Sequence, residues 1–344
     1  MTSAGDVNND EYDDFLIGAC QNNEGGNEAG QIYLIFGRRA GSFSMNTDLS
    51  DADASFIGEN EEDYAGYSVA SAGDVNNDGY DDIFIGAYSR SGGFAGKAYL
   101  IFGNEVGSFS MHTNLSDADA SFIGEGTGDV AGNSVASAGD VNNDGYDDIL
   151  IGAYKNDEGG DWAGKIYLFF GNEADFFSMN TDLSDANASF IGEETCDFAG
   201  ISVASAGDVN NDEYDDILIG ACGYEKGPGK VYFIFGNEAG SFSMDTDLSN
   251  ANASFIGERT YDYAGISVAC AGDVNNDGYD DILIGAYGNN EGGADAGQTY
   301  LVFGGFKEEK EEDKIPGYTT LLLVIFSFST MIFLLLKSLK KVKN

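Results

Sequence analysis

Basic residues are scarce: the chain of 344 residues has 16 Lys and Arg against 59 Asp and Glu. The imbalance is uneven, because residues 1–314 hold 12 basic and 59 acidic residues, a net of −47, while the remainder carries four lysines and no acid. A domain this anionic does not bind nucleic-acid phosphates or an anionic lipid surface unaided. Self-repulsion also opposes a compact state unless bound cations offset it. High net charge alone would suit a disordered chain, but 42% hydrophobic and 13% aromatic residues argue for a packed one. Histidine occurs once, at His112, which leaves little for imidazole catalysis or zinc ligation. The four cysteines, Cys20, Cys196, Cys222 and Cys270, give little support to a disulfide framework and read mostly as buried thiols. The opening residues, MTSAGDVNND, have neither the basic start nor the apolar stretch of a secretory leader. No helical period appears before residue 315.

What is present is a repeat. The nonapeptide DVNNDGYDD or a near copy starts at Asp6, Asp74, Asp140, Asp208 and Asp273. The intervening spacings of 68, 66, 68 and 65 residues mark one structural unit used five times. In the third unit, SVASAGDV (134–141) alternates small and branched residues, and DILIGAY (148–154) is a short β-branched run suited to a strand buried on both faces. GKIYLFFG (164–171) supplies a third strand, and a fourth is expected around 188–191. Four short strands separated by Gly, Asn and Asp clusters make an antiparallel meander, and such units in tandem predict an all-β fold, a β-propeller over residues 1–306. Phased methionines at Met45, Met111, Met179 and Met244 read as core gap-fillers. His112 falls in a slot held elsewhere by Asn46, Asn180 or Asp245, so repeat drift accounts for it.

The nonapeptide has the donor pattern of a calcium loop. Oxygen-bearing side chains stand at positions one, three, five and nine, and position seven offers its backbone carbonyl. The expected ligands are Asp6, Asn8, Asp10, Tyr12 and Asp14; Asp74, Asn76, Asp78, Tyr80 and Asp82; Asp140, Asn142, Asp144, Tyr146 and Asp148; Asp208, Asn210, Asp212, Tyr214 and Asp216; and Asp273, Asn275, Asp277, Tyr279 and Asp281. Magnesium suits the pattern less well because it demands strict octahedral geometry, and the loops contain no His or Cys for zinc. Gly145 at position six suits a positive φ, whereas Glu11 and Glu213 occupy that place in the first and fourth loops, which are expected to bind more weakly. Asp- and Asn-rich turns also cap ordinary hairpins, but five copies in one register favour up to five calcium ions.

YAGYSVASAGDVNNDGYDDIFIGAY (64–88) resembles the FG-GAP repeat of integrin α-subunit propellers. That repeat combines an aromatic–Gly pair, a D-x-D/N-x-D-G-x-x-D loop and a Gly-Ala-Pro turn. Here the pair reads Ala-Gly after Tyr64, Phe198, Tyr263 or Val130, and the turn reads Gly-Ala-Tyr or Gly-Ala-Cys. The resemblance implies calcium-bearing propeller blades, of which the family usually has seven, with calcium in only some. Five loops in five repeats depart from that pattern. The chain opens inside a first strand and stops after a third, so its true N-terminus is expected to lie upstream. A fourth strand and the start of a first would let a five-bladed ring close; a seven-bladed one needs roughly two more repeats.

Residues 318–336 are 19 positions without a charge, enough at about 1.5 Å per residue to cross a hydrocarbon core of about 30 Å. Lys337, Lys340, Lys341 and Lys343 follow. The expected order is a charged spacer at 307–314, a transmembrane or sorting segment at 315–336 and a basic cytoplasmic tail at 337–344, with the propeller outside the cell. The sequence Ile315-Pro316-Gly317-Tyr318, the apolar span and the lysines are together similar to the C-terminal sorting and anchoring tails of archaeal surface proteins. That likeness implies either a retained anchor or one cleaved and replaced by a lipid. Sequons at Asn114, Asn187 and Asn252 permit glycosylation.

In a meander the nonapeptide loops share an end with the three-to-four connections. The two-to-three loops, at 21–29, 89–95, 155–163, 223–229 and 288–296, lie at the other end and vary most between repeats. Varied loops on a repeated scaffold are where specificity is built, so an unidentified protein or glycan ligand is expected there, with Phe94, Trp162 and Tyr224 as aromatic anchors. The function read from the residues is a membrane-anchored, calcium-stabilised adhesion module at the cell surface, not an enzyme and not a nucleic-acid binder. A self-associating surface coat is the alternative. A propeller-based hydrolase or lyase is a more distant one, lacking a GxSxG motif or a distinct acid–base pair.

Overall fold

Each repeat becomes one sheet because its strands are short, β-branched and separated by glycine-rich turns. In the third repeat, Ser134–Gly139, Asp148–Ala153, Lys165–Phe169 and Ala188–Ile191 pair in chain order, all antiparallel. The computed structural model describes residues 1–39, 42, 43, 46–89, 95–223 and 227–306. Within Met1–Phe306 the same meander recurs as blade one (Thr2–Gly5, Asp14–Ala19, Gln31–Ile35, Ala54–Ile57), blade two (Ser68–Gly73, Asp82–Ala87, Lys97–Ile101, Ala120–Ile123) and blade four (Ala199–Gly207, Asp216–Ala221, Lys230–Ile234, Ala253–Ile256). Blade five has three strands among the described residues: Ala264–Gly272, Asp281–Ala286 and Gln298–Val302. This repetition of antiparallel sheets is the architecture of a propeller, with the expected strands at their expected places. Among the described residues there is no α-helix, and hence none long and apolar enough to cross a membrane. Residues 307–344, which include the expected anchor, lie outside the described residues.

The second strand is the centre of each blade, and in blades two, three and four all six of its residues are buried. Apolar side chains alternate between its two faces, so each blade offers one face to the blade before and one to the blade after. Leu16, Leu34 and Phe56 of blade one thus meet Ile83, Ile85 and Tyr99 of blade two. Equivalent cores fill the next three junctions, making four cores for five blades. Two-residue strands add a latch: Thr113–Asn114, Thr181–Asp182 and Thr246–Asp247 each pair in parallel with the outermost strand of the preceding blade. Ion pairs also cross the junctions, from Lys97 to Glu59 at 2.7 Å and from Lys165 to Glu125 at 3.2 Å, with a third joining Lys230 to Glu193.

Among the described residues blade five presents an open face. On blade five Val274, Leu301 and Phe303 are 54%, 44% and 52% exposed, while their blade-four counterparts Val209, Phe233 and Phe235 are buried. This corrects two expectations. Of the four cysteines, all free, only Cys222 is buried; Cys20 and Cys196 are half-buried, and Cys270 is exposed because no further described blade covers its strand. Met111, Met179 and Met244 are half-buried, Met244 packing against the core between blades two and three, and Met45 lies outside the described residues.

Candidate metal centres in the repeat loops

The loops join first to second strands and share one end of the blades with the three-to-four connections, where the Asn104 amide reaches the Val7 carbonyl. The two-to-three loops and the links between blades meet at the other end, through bridges such as Gly30 to Ala65.

Every loop closes on its first carboxylate. Asp140 Oδ1 accepts from the Asp144 amide at 3.0 Å and Oδ2 from the Gly145 amide at 2.9 Å. Asp6, Asp74, Asp208 and Asp273 bind their own position-five and position-six amides in the same way. The position-five side chain then caps position seven: Asp10, Asp78, Asp144, Asp212 and Asp277 each accept from the following Tyr amide, at 3.1 Å. Position six has positive φ throughout, 92° at Gly79 and Gly145 and 90° at Gly278, as expected of glycine. Glu11 and Glu213 are forced into the same region, at 73° and 75°, which is strained for a residue with a Cβ. Position four is left-handed as well, from Asn9 and Asn77 at 54° to Asn276 at 60°, a role that explains the second asparagine of the motif and was legible from its αL tolerance.

Position nine does more than terminate the loop. Asp82 is fully buried, with Oδ2 accepting from the Val75 amide at 3.0 Å and Oδ1 from the Gly103 amide at 2.8 Å. It therefore ties the loop to the end of the third strand, and Asp14, Asp148, Asp216 and Asp281 repeat both bonds. Burial pushes the carboxyls of Asp82, Asp148 and Asp216 up to about 8 and that of Asp14 up to about 6. The two amides pull the other way, and the position-five and position-one carboxylates add to the rise.

Among the described residues no three His, Cys, Asp or Glu side chains already converge as a finished cage. The donors are in register but engaged with amides. A carboxylate oxygen has two lone pairs, so an amide bond leaves room for an ion. One observation bears on the fit directly. The position-three asparagines of loops one to four carry side-chain atoms that are buried without a partner: Asn8 Oδ1, Asn76 Nδ2, Asn142 Oδ1 and both polar atoms of Asn210. A buried polar atom left unsatisfied is costly; the free Oδ1 atoms of Asn8, Asn142 and Asn210 are acceptors that suit a hard cation, whereas Asn76 already uses its Oδ1 on the Asp78 amide.

At the opposite end Trp162 is 41% exposed beside Phe198, with the Lys155 ammonium 5.7 Å from its ring centre. Phe94 and Tyr224 lie outside the described residues. His112 has φ of 62°, and Asn180 and Asp245 in its slot have 63° and 57°. Asn, Asp and His are the non-glycine residues that best tolerate this region, so the slot selects for backbone shape.

The FG-GAP repeat model matches five stretches, residues 2–35, 65–101, 131–169, 199–234 and 265–302. Similar proteins include integrin alpha pat-2 of Caenorhabditis briggsae, 32% identical over 263 residues, covering 71% of this chain and 20% of the relative. Integrin alpha-8 of Mus musculus is 31% identical over 238 residues, with coverages of 66% and 21%. A phosphatidylinositol-glycan-specific phospholipase D of Bos taurus is 31% identical over 237 residues, with coverages of 66% and 27%. The chain spans about a fifth of the length of the integrin relatives. Each matched stretch covers the first three strands of one blade with the nonapeptide loop between the first two, and the five together exceed half of the sequence: the chain belongs to the FG-GAP repeat family and carries an integrin-α-like domain.

Proposed function

We propose that the protein is a calcium-stapled binding and adhesion module at the cell surface. The observation that carries this reading is the buried side-chain oxygen without a partner at position three of loops one, three and four, on Asn8, Asn142 and Asn210, within a donor set made only of oxygen. In each loop the position-one, -three, -five and -nine side chains and the position-seven carbonyl would hold the ion. The ion supplies positive charge where Asp82, Asp148 and Asp216 are otherwise buried as acids; counted with every carboxyl ionised, five ions would move residues 1–314 from −47 to −37. The residues at 315–336 would anchor the module, 307–314 would space it from the membrane, and 337–344 would lie in the cytoplasm. Ligand selection is assigned to the two-to-three loops around Trp162, with a protein or glycan as the partner and no catalysis.

Equilibrium dialysis is expected to find up to five calcium ions per chain that magnesium does not displace at equal concentration. The Glu11 and Glu213 loops should fill after the second and third. One ion or none would end the calcium reading. The apolar residues exposed on blade five, Val274, Leu301 and Phe303, favour a second reading, association between copies; light scattering that grows with calcium would support it, and a monodisperse monomer would not.

A further inference from the structure

Position eight of the nonapeptide lies outside the ligand pattern, yet it is aspartate in every repeat: Asp13, Asp81, Asp147, Asp215 and Asp280. Four of these reach back to the blade before. Asp147 Oδ2 accepts from the Asp74 amide at 2.8 Å, and the Asp147 amide donates to the Asp74 carbonyl at 3.3 Å. The same reciprocal pair joins Asp81 to Asp6, Asp215 to Asp140 and Asp280 to Asp208, with carboxylate bonds of 2.7, 3.0 and 3.1 Å. The residue gripped is always position one of the neighbouring loop. A second tie holds position two, because the Asn172 amide donates to the Val75 carbonyl at 2.9 Å and its equivalents repeat the bond. The glycine just before position one makes room for the grip: a Cβ on Gly5, Gly73, Gly139 or Gly207 would stand 2.0–2.1 Å from the gripping carboxylate.

Among the described residues, each end of the array shows only one half of this arrangement. Asp13 has no preceding blade to grip among the described residues, and a Cβ added to Gly272, just before Asp273, would meet nothing within 4 Å. Loops two, three and five have the identical sequence DVNNDGYDD and so the same ligands, but among the described residues loop five lacks both the grip and the position-two tie.

We propose that the position-eight aspartate is a positioning residue for the cation loop of the blade before its own, so that the loops are coupled in one direction along the array. It fixes the main chain at the first ligand from outside that loop, as an outer-shell partner orients a ligand. The proposal rests on the calcium reading above, and its test separates the two. The position-six amides of Gly79, Gly145 and Gly278 report on the three identical loops in a calcium titration of the full-length chain followed by NMR. Asp147→Ala should move the Gly79 midpoint up by roughly 10-fold, the scale of an outer-shell loss, and leave Gly145 in its own loop unchanged. Asp147→Asn, which keeps an acceptor, should recover part of the loss, and Asp13→Ala should move none of the three. A shift at Gly145 instead, an equal shift at all three, or no shift would overturn the coupling. A folded chain in which no glycine responds to calcium would overturn the calcium reading itself.

Discussion

Gly86→Ala should destabilise the protein by about 2–3 kcal/mol, and Gly285→Ala, the same change at the same place in blade five, should be nearly neutral. Gly86 lies in the buried strand Asp82–Ala87, where a Cβ would stand 2.0 Å from the carbonyl oxygen of Gly132 on blade three. That oxygen is main chain, held in place by the pairing of its own blade, so relief requires the two blades to part. Blade separation would strip contacts from a core that includes Phe84, Phe122, Ile151 and Tyr167. At Gly285 the nearest atom is the Ser267 hydroxyl at 2.3 Å, on the same blade, and a hydroxyl can turn away. Thermal unfolding of both variants in calcium checks this; for a domain of this size Gly86→Ala should lower the midpoint by roughly 3–5 °C. Equal shifts would mean that the close approach of blades does not limit stability.

The second large effect is a reversal of pH dependence by calcium. In the folded chain without metal, Asp82, Asp148 and Asp216 have carboxyls raised to about 8 from an ordinary 3.8, chiefly by burial. A raised folded value means that these groups favour the fold when protonated. Their contribution is complete below about 4, where the unfolded chain is protonated too, and it drains away as pH climbs towards 8. In chelator the unfolding midpoint should therefore be higher at pH 5 than at pH 8 as far as these groups govern it. A bound cation stabilises the ionised form, so calcium should cancel or invert that slope. Protons and calcium then compete for the same oxygens, and affinity should fall about tenfold per pH unit for each displaced proton below the shifted value. Calcium titrations at pH 5.5, 6.5 and 7.5 measure this, and a pH-independent affinity would mean that position nine stays ionised without the metal.

Much of this was readable in the residues, for definite reasons. The run at 148–153 is β-branched and bounded by Asp and Gly, so its strand and its double burial followed from pattern. The meander then determined which loops share an end. Glycine at position six announced its positive φ. What the pattern did not carry was anything set by a neighbouring blade. The Lys97–Glu59 pair spans 38 residues, and the latch Thr113–Asn114 is two residues long with no period to detect. Position eight was visible as aspartate in all five loops, but its partner is 72 to 75 residues away, on another sheet. The exposure of Cys270 likewise depends on what covers its blade.

The most direct measurement is the unfolding midpoint of the chain at neutral pH in millimolar calcium, in equal magnesium and in chelator. An ion that binds only the folded state contributes about 2.7 kcal/mol per site at a hundredfold excess over its dissociation constant. Several such sites predict a large rise in midpoint with calcium, little of it reproduced by magnesium. An unchanged midpoint would contradict the calcium-staple reading, and the DVNND loops would then be hairpin turns held by their own amides.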